Sequence, residues 1–148
     1  YPFIHFNEER RVYQMIPETN EASDVRVYET AEEKFPFGWA LKHKPLPGVK
    51  FVDTAAVWHS DRFWIYTTQL KDGPLSGMKW TMRLYHTKDL SDSWIEHPKS
   101  PILVSDDKIG RSAGRPVVHG DSIYRFAQDG TNFHDRGVSV LRTVVLTK

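Results

Sequence analysis

The stretch RPVVHGDSIYRFAQDG, Arg115 to Gly130, reads as a β-hairpin. Val117 and Val118 lead into the polar turn HGDS, an aromatic-containing strand follows, and the strand ends on Gln128 and Asp129. Two earlier stretches share this layout: IHFNEERRVYQMIPE, Ile4 to Glu18, and AVWHSDRFWIYTTQ, Ala56 to Gln69. Aligned on Tyr13, Trp64 and Tyr124, the three hairpins are spaced by 51 and 60 residues. Further strand-like material follows each one: DVRVYET then GWALKHK, KWTMRLYHT then SWIEHP, and RGVSVLRTVVLT. FPFGW and SDSW fall at matching points before the outer strand. A four-stranded antiparallel unit recurring every ~50 residues is the pattern of a β-propeller blade. The competing reading is a β-sandwich with accidental similarity.

The expectation is therefore an all-β chain forming a single partial β-propeller domain, with about three four-stranded antiparallel blades over residues 1–48, 49–104 and 105–148. The first strands, near residues 2–6, 54–59 and 115–119, should lie innermost and side by side. Helical patterning is nearly absent. NEASDVRVYETAEEKF has room for a turn of helix, but VRVYE within it alternates like a strand.

Composition narrows the function. The 148 residues suffice for one domain with a real core. Lys plus Arg number 20 and Asp plus Glu 19, so the net charge of +1 gives no electrostatic reason to expect nucleic acid or an anionic membrane as partner. Aromatic residues make up 13% and include five Trp, which suits a β-rich core or a carbohydrate-facing surface. With no Cys, disulfides and thiol chemistry are excluded. No apolar run approaches the ~18 residues of a membrane span, so direct membrane insertion is not expected. The chain opens on YPFIHF, without an initiator Met or signal peptide, and reads as a processed product or a piece of a longer protein.

Propeller geometry gives the strand-end polar residues a common address. Within a blade the first strand is innermost and the second returns antiparallel to it. The start of the first and the end of the second therefore share one face of the disc. Glu18, Gln69 and Asp129 each lie five residues after the aligned aromatic. Asp53 precedes the inner strand TAAVWH, and Arg111 and Arg115 bracket the start of PVVH. With Gln128, these residues should crowd the rim of a central funnel, where ligand-bearing residues of repeat scaffolds gather.

YPF, YQMIPETNEA, FVDTAAVWHSDRFWIYTT, HPKSPI and GRSAGRPVVHGDSIYRFAQDG, taken in that order, resemble a five-bladed glycan-processing propeller family related to family-43 glycoside hydrolases. The branch they resemble is the propeller domain attached to plant glucosamine inositolphosphorylceramide transferases and to bacterial relatives. The resemblance covers essentially the whole chain and matches the later three of five blades. It implies a carbohydrate or glycolipid headgroup as partner. The remaining blades, or another protein chain, would cover the open sheet faces. It also implies residence in the secretory pathway or Golgi lumen if the chain follows its plant relatives.

The resemblance further implies three carboxylates around the funnel: a base that activates water, an acid that protonates the leaving oxygen, and one that tunes the acid. Inverting hydrolysis separates base and acid by roughly 6.5–9.5 Å. On this reading Glu18 is the acid, its pKa raised by apolar neighbours such as Met15 and Ile16, and Asp53 matches the tuning position. The base belongs to a blade outside the match, with Asp129 as a substitute. Arg111, Arg115, Gln128, Asp129 and Gln69 would bind substrate. The structural alternative for Glu18 is a strand-end carboxylate bonded to backbone N–H groups, and for Asp53 an Asx turn. For the arginines it is an ion pair with Asp53, Asp106 or Asp129. The other functional readings are a non-catalytic glycan-binding propeller and a structural or interaction subunit built on a degenerate propeller.

The remaining polar features point to no cofactor or metal. His59 and His119 sit in HSDR and HGDS turns on the far face, and the other histidines lack ligand spacing. GRSAGR follows no strand and opens no helix, so it is not a phosphate loop. TAEEKF reads as a solvated charged loop.

Overall fold

The computed structural model describes residues 2–69, 80–131, 137–144 and 146. Three antiparallel sheets follow one another along the chain. β1 (Phe3–Asn7), β2 (Val12–Ile16), β3 (Asp24–Ala31) and β4 (Ala40–Pro47) form the first, in that order. The second contains β5 (Phe51–Trp58), β6 (Phe63–Gln69), β7 (Thr81–Thr87) and β8 (Ile95–Glu96). The third contains β9 (Arg111–Ser112), β10 (Val117–His119), β11 (Ser122–Gln128) and β12 (Val138–Thr143). Tyr13, Trp64 and Tyr124 all fall in second strands, and FPFGW and SDSW directly precede the fourth strands β4 and β8. These sheets are propeller blades. The only helical elements among the described residues are two single turns of 3-10 helix, Asn20–Ala22 and Glu32–Lys34. None is long and apolar enough to cross a membrane.

The first strand of the third sheet is interrupted. β9 and β10 both pair with β11, through Gln128↔Arg111 and Ala127↔Ser112 at one end and Val117↔Tyr124 at the other. Between them Pro116 has no N–H to give the ladder, and Gly114 takes φ +143°. The fourth member of this sheet is thus half of a divided first strand.

Position along β6 shows how the blades are held together. Phe63 and Ile65 point one way, into a cluster with Phe3, Ile16, Val25 and Val27 of the first sheet. Trp64 and Tyr66 point the other way, to Met82, Leu84 and Ile123. The second sheet is therefore buried on both faces, and FVDTAAVW reads as a nearly continuous buried run instead of an alternating one. Truncating a fully buried residue such as Ile65 to Ala would cost about 2–5 kcal/mol, because both neighbouring sheets limit collapse into the void.

A polar clasp completes the seam between the first two sheets. The fully buried Gln14 donates from Nε2 to Asp89 Oδ1 (2.6 Å), Ser91 Oγ (2.9 Å) and Glu29 Oε1 (3.1 Å). Arg10 grips both Glu29 oxygens at 2.7 and 2.8 Å and reaches Asp89 at 3.2 Å. By contrast, Ile4, Phe35, Phe37 and Leu41 of the first sheet and its loop are exposed, as are Val117, Val138 and Val140 of the third.

β5 touches both β1 and β10, so the first strands lie side by side. The registers Phe3↔Ile16, Phe51↔Gln69 and Arg111↔Gln128 bring first-strand starts against second-strand ends. The opposite ends carry the turns. His59 N–H donates to Arg62 O, and Ser60 and Asp61 take φ of +50° and +63°. His119 precedes Gly120 at φ +57°.

Candidate functional site

Asp53 is the centre of the rim, and a backbone irregularity puts it there. The β5–β6 register slips between Val52 and Ala55, so the strand bulges at Asp53 and Thr54. Asp53 takes φ +52°, a left-handed conformation that Asp tolerates better than most residues. It lies inside β5 instead of before it, which corrects the Asx-turn alternative: the strand begins two residues earlier, at Phe51. The bulge turns a carboxylate towards the third blade from an otherwise buried strand. There Asp53 Oδ2 accepts from Arg111 Nε at 2.6 Å and from Gln128 Nε2 at 3.4 Å. Gln128 Nε2 also donates to Ser112 O at 2.7 Å.

Glu18 closes the other side. Its Oε2 accepts the Asp53 backbone N–H at 2.8 Å, and its Oε1 accepts that of Asn20 at 3.3 Å. Glu18 is exposed, and Ile16 is buried in the core between the first two sheets. The expected apolar surround for Glu18 is therefore absent, since its oxygens face backbone donors and solvent. Glu18, Asp53, Arg111 and Gln128 form one connected network drawn from all three blades.

The other sequence-predicted residues stand apart from this network. Arg115 lies 4.6 Å above the Phe3 ring and reaches Ile4 O at 3.5 Å, linking the third blade to the first. Nearby, burial lowers the pKa of His5, and the positive charge of Arg115 lowers it further. Asp129 Oδ1 accepts from Thr131 N and Oγ1 at 3.1 and 2.7 Å, a local turn. Gln69 Oε1 accepts from Arg83 Nε at 2.8 Å, on the side facing the first blade.

Sequence reasoning did not single out Trp80. Its indole lies under Arg111, with the guanidinium 5.0 Å from the ring centroid. Gly110 permits this placement: a Cβ there would collide with Asp106 O and the Trp80 side chain. Thr68 Oγ1 donates to Gly110 O at 3.1 Å, and Arg125 Nη2 to Ile109 O at 2.9 Å, pinning the loop that carries Arg111. The rim thus presents an exposed carboxylate, a paired carboxylate and guanidinium, a planar amide and an aromatic face. Together these can hydrogen-bond vicinal hydroxyls, with Trp80 supporting the guanidinium from beneath. Among the described residues no group of three or more His, Cys, Asp or Glu is placed to hold a metal ion.

The family model of the glucosamine inositolphosphorylceramide transferase 1 N-terminal domain matches residues 1–148. The chain belongs to this family. It is 29% identical over 149 residues to glucosamine inositolphosphorylceramide transferase 1 of Oryza sativa subsp. japonica and 31% over 150 residues to that of subsp. indica. Identity to the Arabidopsis thaliana protein is 28% over 149 residues. Each alignment covers 100% of this chain and 19% of the relative, so the chain spans about a fifth of the length of these relatives. Among solved structures, the α-L-arabinofuranosidase of Podospora anserina, in complex with cellotriose, is similar with a TM-score of 0.56 at 10% identity. That similarity covers 94% of this chain and 51% of the enzyme, and it concerns the fold. The propeller expected from the hairpin repeat is the fold found.

Proposed function

We propose that the rim around Asp53 binds a carbohydrate, specifically the sugar headgroup of a glycolipid, as one part of a carbohydrate-active protein. The observation that carries this reading is the network Glu18–Asp53–Arg111–Gln128, held by three blades around a left-handed bulge and floored by Trp80. Strained backbone positions of this kind concentrate at binding and catalytic sites. The relatives' names, which join glucosamine to inositolphosphorylceramide, support a glycolipid headgroup as ligand.

In this reading Arg111 donates to sugar oxygens, Gln128 Oε1 and Glu18 accept from hydroxyls, and Trp80 holds the Arg111 guanidinium in place from beneath. Arg115 and Asp129 extend the surface. Glu18 as general acid with Asp53 tuning it is the catalytic form of the same proposal; its bond to the Asp53 backbone N–H supports that assignment. The exposed apolar faces of the first and third sheets are packing surfaces for further blades of the same propeller.

Calorimetry with a panel of glycolipid headgroups, run on the intact protein beside a hydrolysis assay, tests both forms. Asp53→Ala or Trp80→Ala should weaken binding by about 1–3 kcal/mol. Glu18→Gln should abolish turnover while sparing binding if Glu18 delivers a proton. Unchanged affinity in the Asp53 and Trp80 variants refutes the site.

A further inference from the structure

Gln69 does not join the Asp53 network, and the place it occupies instead is a second concave surface. It lies on a groove of about 280 Å³ between the first and second blades. One wall is apolar, with Pro47 of β4 and Phe51 of β5. The other is polar and crosses three strands of the second blade. Gln69 Oε1 accepts from Arg83 Nε at 2.8 Å, and Arg83 Nη1 donates to Glu96 Oε1 at 2.6 Å. Tyr85 completes this wall, its ring edge-on to Phe51 with centroids 6.4 Å apart. Burial, helped by the Glu96 charge, pushes the Tyr85 phenol up to about 12, so it remains a neutral hydroxyl at any physiological pH.

We infer that this groove is a second binding site, taking a single neutral sugar ring. Three features select that class. Among the described residues the groove holds one cation and one anion, and they pair with each other, so it carries no net charge to favour an ionic ligand. Gln69 Nε2, Arg83 Nη2 and Glu96 Oε2, the planar-end atoms outside the Gln69–Arg83–Glu96 bonds, can bond adjacent hydroxyls, while the exposed Pro47 offers an apolar surface to the C–H face of a ring. The volume falls just below the ~300–1,000 Å³ of sites for drug-sized ligands, which fits one ring. The groove begins at Phe51, paired with Gln69 and two residues from Asp53, so a glycan seated at the rim can continue into it. The ligand class rests on the glycan reading above; the groove does not depend on which rim residues act.

The test is saturation-transfer NMR on the intact protein with methyl glucoside as probe, in wild type and in Gln69→Ala, Glu96→Ala, Tyr85→Phe and Asp53→Asn. Binding should weaken about tenfold in Gln69→Ala and Glu96→Ala, the loss of one to two hydrogen bonds. Tyr85→Phe, which keeps the core ring, should weaken it severalfold. Failure of the rim reading would show separately, as no effect of Asp53→Asn on headgroup binding. Unchanged methyl glucoside binding in Gln69→Ala and Glu96→Ala, in proteins with wild-type near-ultraviolet spectra, would overturn the inference. So would stronger saturation of glucosamine cation or methyl phosphate than of methyl glucoside, or no binding of the neutral probe at all.

Discussion

Replacing Asp53 with Asn, Gly and Ala separates the three things this residue does. Its backbone N–H bonds Glu18 whatever the side chain, so that bond is common to all variants. Its carboxylate pairs with Arg111 at 2.6 Å, with side-chain exposures of 9% and 33%. A charge-assisted bond of that kind contributes about 1.5–3 kcal/mol when buried; solvent around Arg111 reduces this to about 1–2 kcal/mol. Its φ of +52° costs an Ala about 1–2 kcal/mol and a Gly nothing. Against this, Gly loses about 0.5–1 kcal/mol more backbone entropy than Ala on folding. Asn keeps the shape, tolerates the left-handed conformation and still accepts from Arg111, so it should lose about 1 kcal/mol. Gly should lose about 2 and Ala about 3 kcal/mol. Urea unfolding of the intact protein, followed by Trp fluorescence and analysed at constant m, measures the order Asn, Gly, Ala. Ala as stable as Gly would show that the bulge does not hold position 53 left-handed, and the account of how Asp53 reaches Arg111 would fall.

The remaining expectations concern other parts of the molecule. Burial pushes Glu29 and Asp89 upward, but hydrogen bonds from Arg10, Ser91 and Gln14 outweigh it and both carboxyls lie below their ordinary values of 4.5 and 3.8. Their stabilisation is therefore complete above about pH 4.5 and lost as pH falls through the folded values; Glu29→Gln with Asp89→Asn should flatten the acid limb of stability against pH. Gln14→Leu should cost about 2 kcal/mol in thermal or urea unfolding, because the clasp loses its central donor. Arg125 is buried with Nη1 lacking a hydrogen-bond partner among the described residues, and burial lowers its pKa. Arg125→Met removes the unpaired Nη1 but also the bond to Ile109 O, so it should stay within about 1 kcal/mol of wild type, whereas Arg125→Ala should be destabilised further by lost packing. If the outer sheet faces pack on further blades, Leu41→Glu and Val140→Glu in the intact protein should each cost more than about 2 kcal/mol; changes within about 0.5 kcal/mol would show both faces to be solvated.

Much of the fold was legible because strand pairs leave local signals. Tyr13, Trp64 and Tyr124 mark second strands since each follows a turn and starts an alternating aromatic run. The HSDR and HGDS turns carry residues that tolerate positive φ. Register was harder to see. The continuous burial of FVDTAAVW hides the bulge at Asp53, because a strand covered on both faces has no alternation to break. Reading Asp53 as outside the strand followed directly from that. Likewise Arg111 forms a strand of its own because Pro116 and Gly114 divide a ladder that PVVH alone suggested.

The rim residues were recognisable as a group through strand-end position, but their partners depended on which way each blade faces. Gln128 and Gln69 each end the second strand of their blade and end up on different surfaces. Gln128 terminates a strand whose neighbour β9 carries Arg111, so it turns to Asp53 across the blade boundary. Gln69 terminates a strand paired to β7, and Arg83 on that strand draws it towards the first blade. The difference comes from the partner strand, which the repeat does not encode. The same logic explains why Trp80 escaped notice. It resembles the other blade-packing Trp residues in sequence, and only the missing side chain at Gly110, 30 residues later, frees the space that lets it lie beneath Arg111. A scaffold repeat thus fixes where polar residues emerge, while the non-equivalent residues at blade boundaries decide which of them act together.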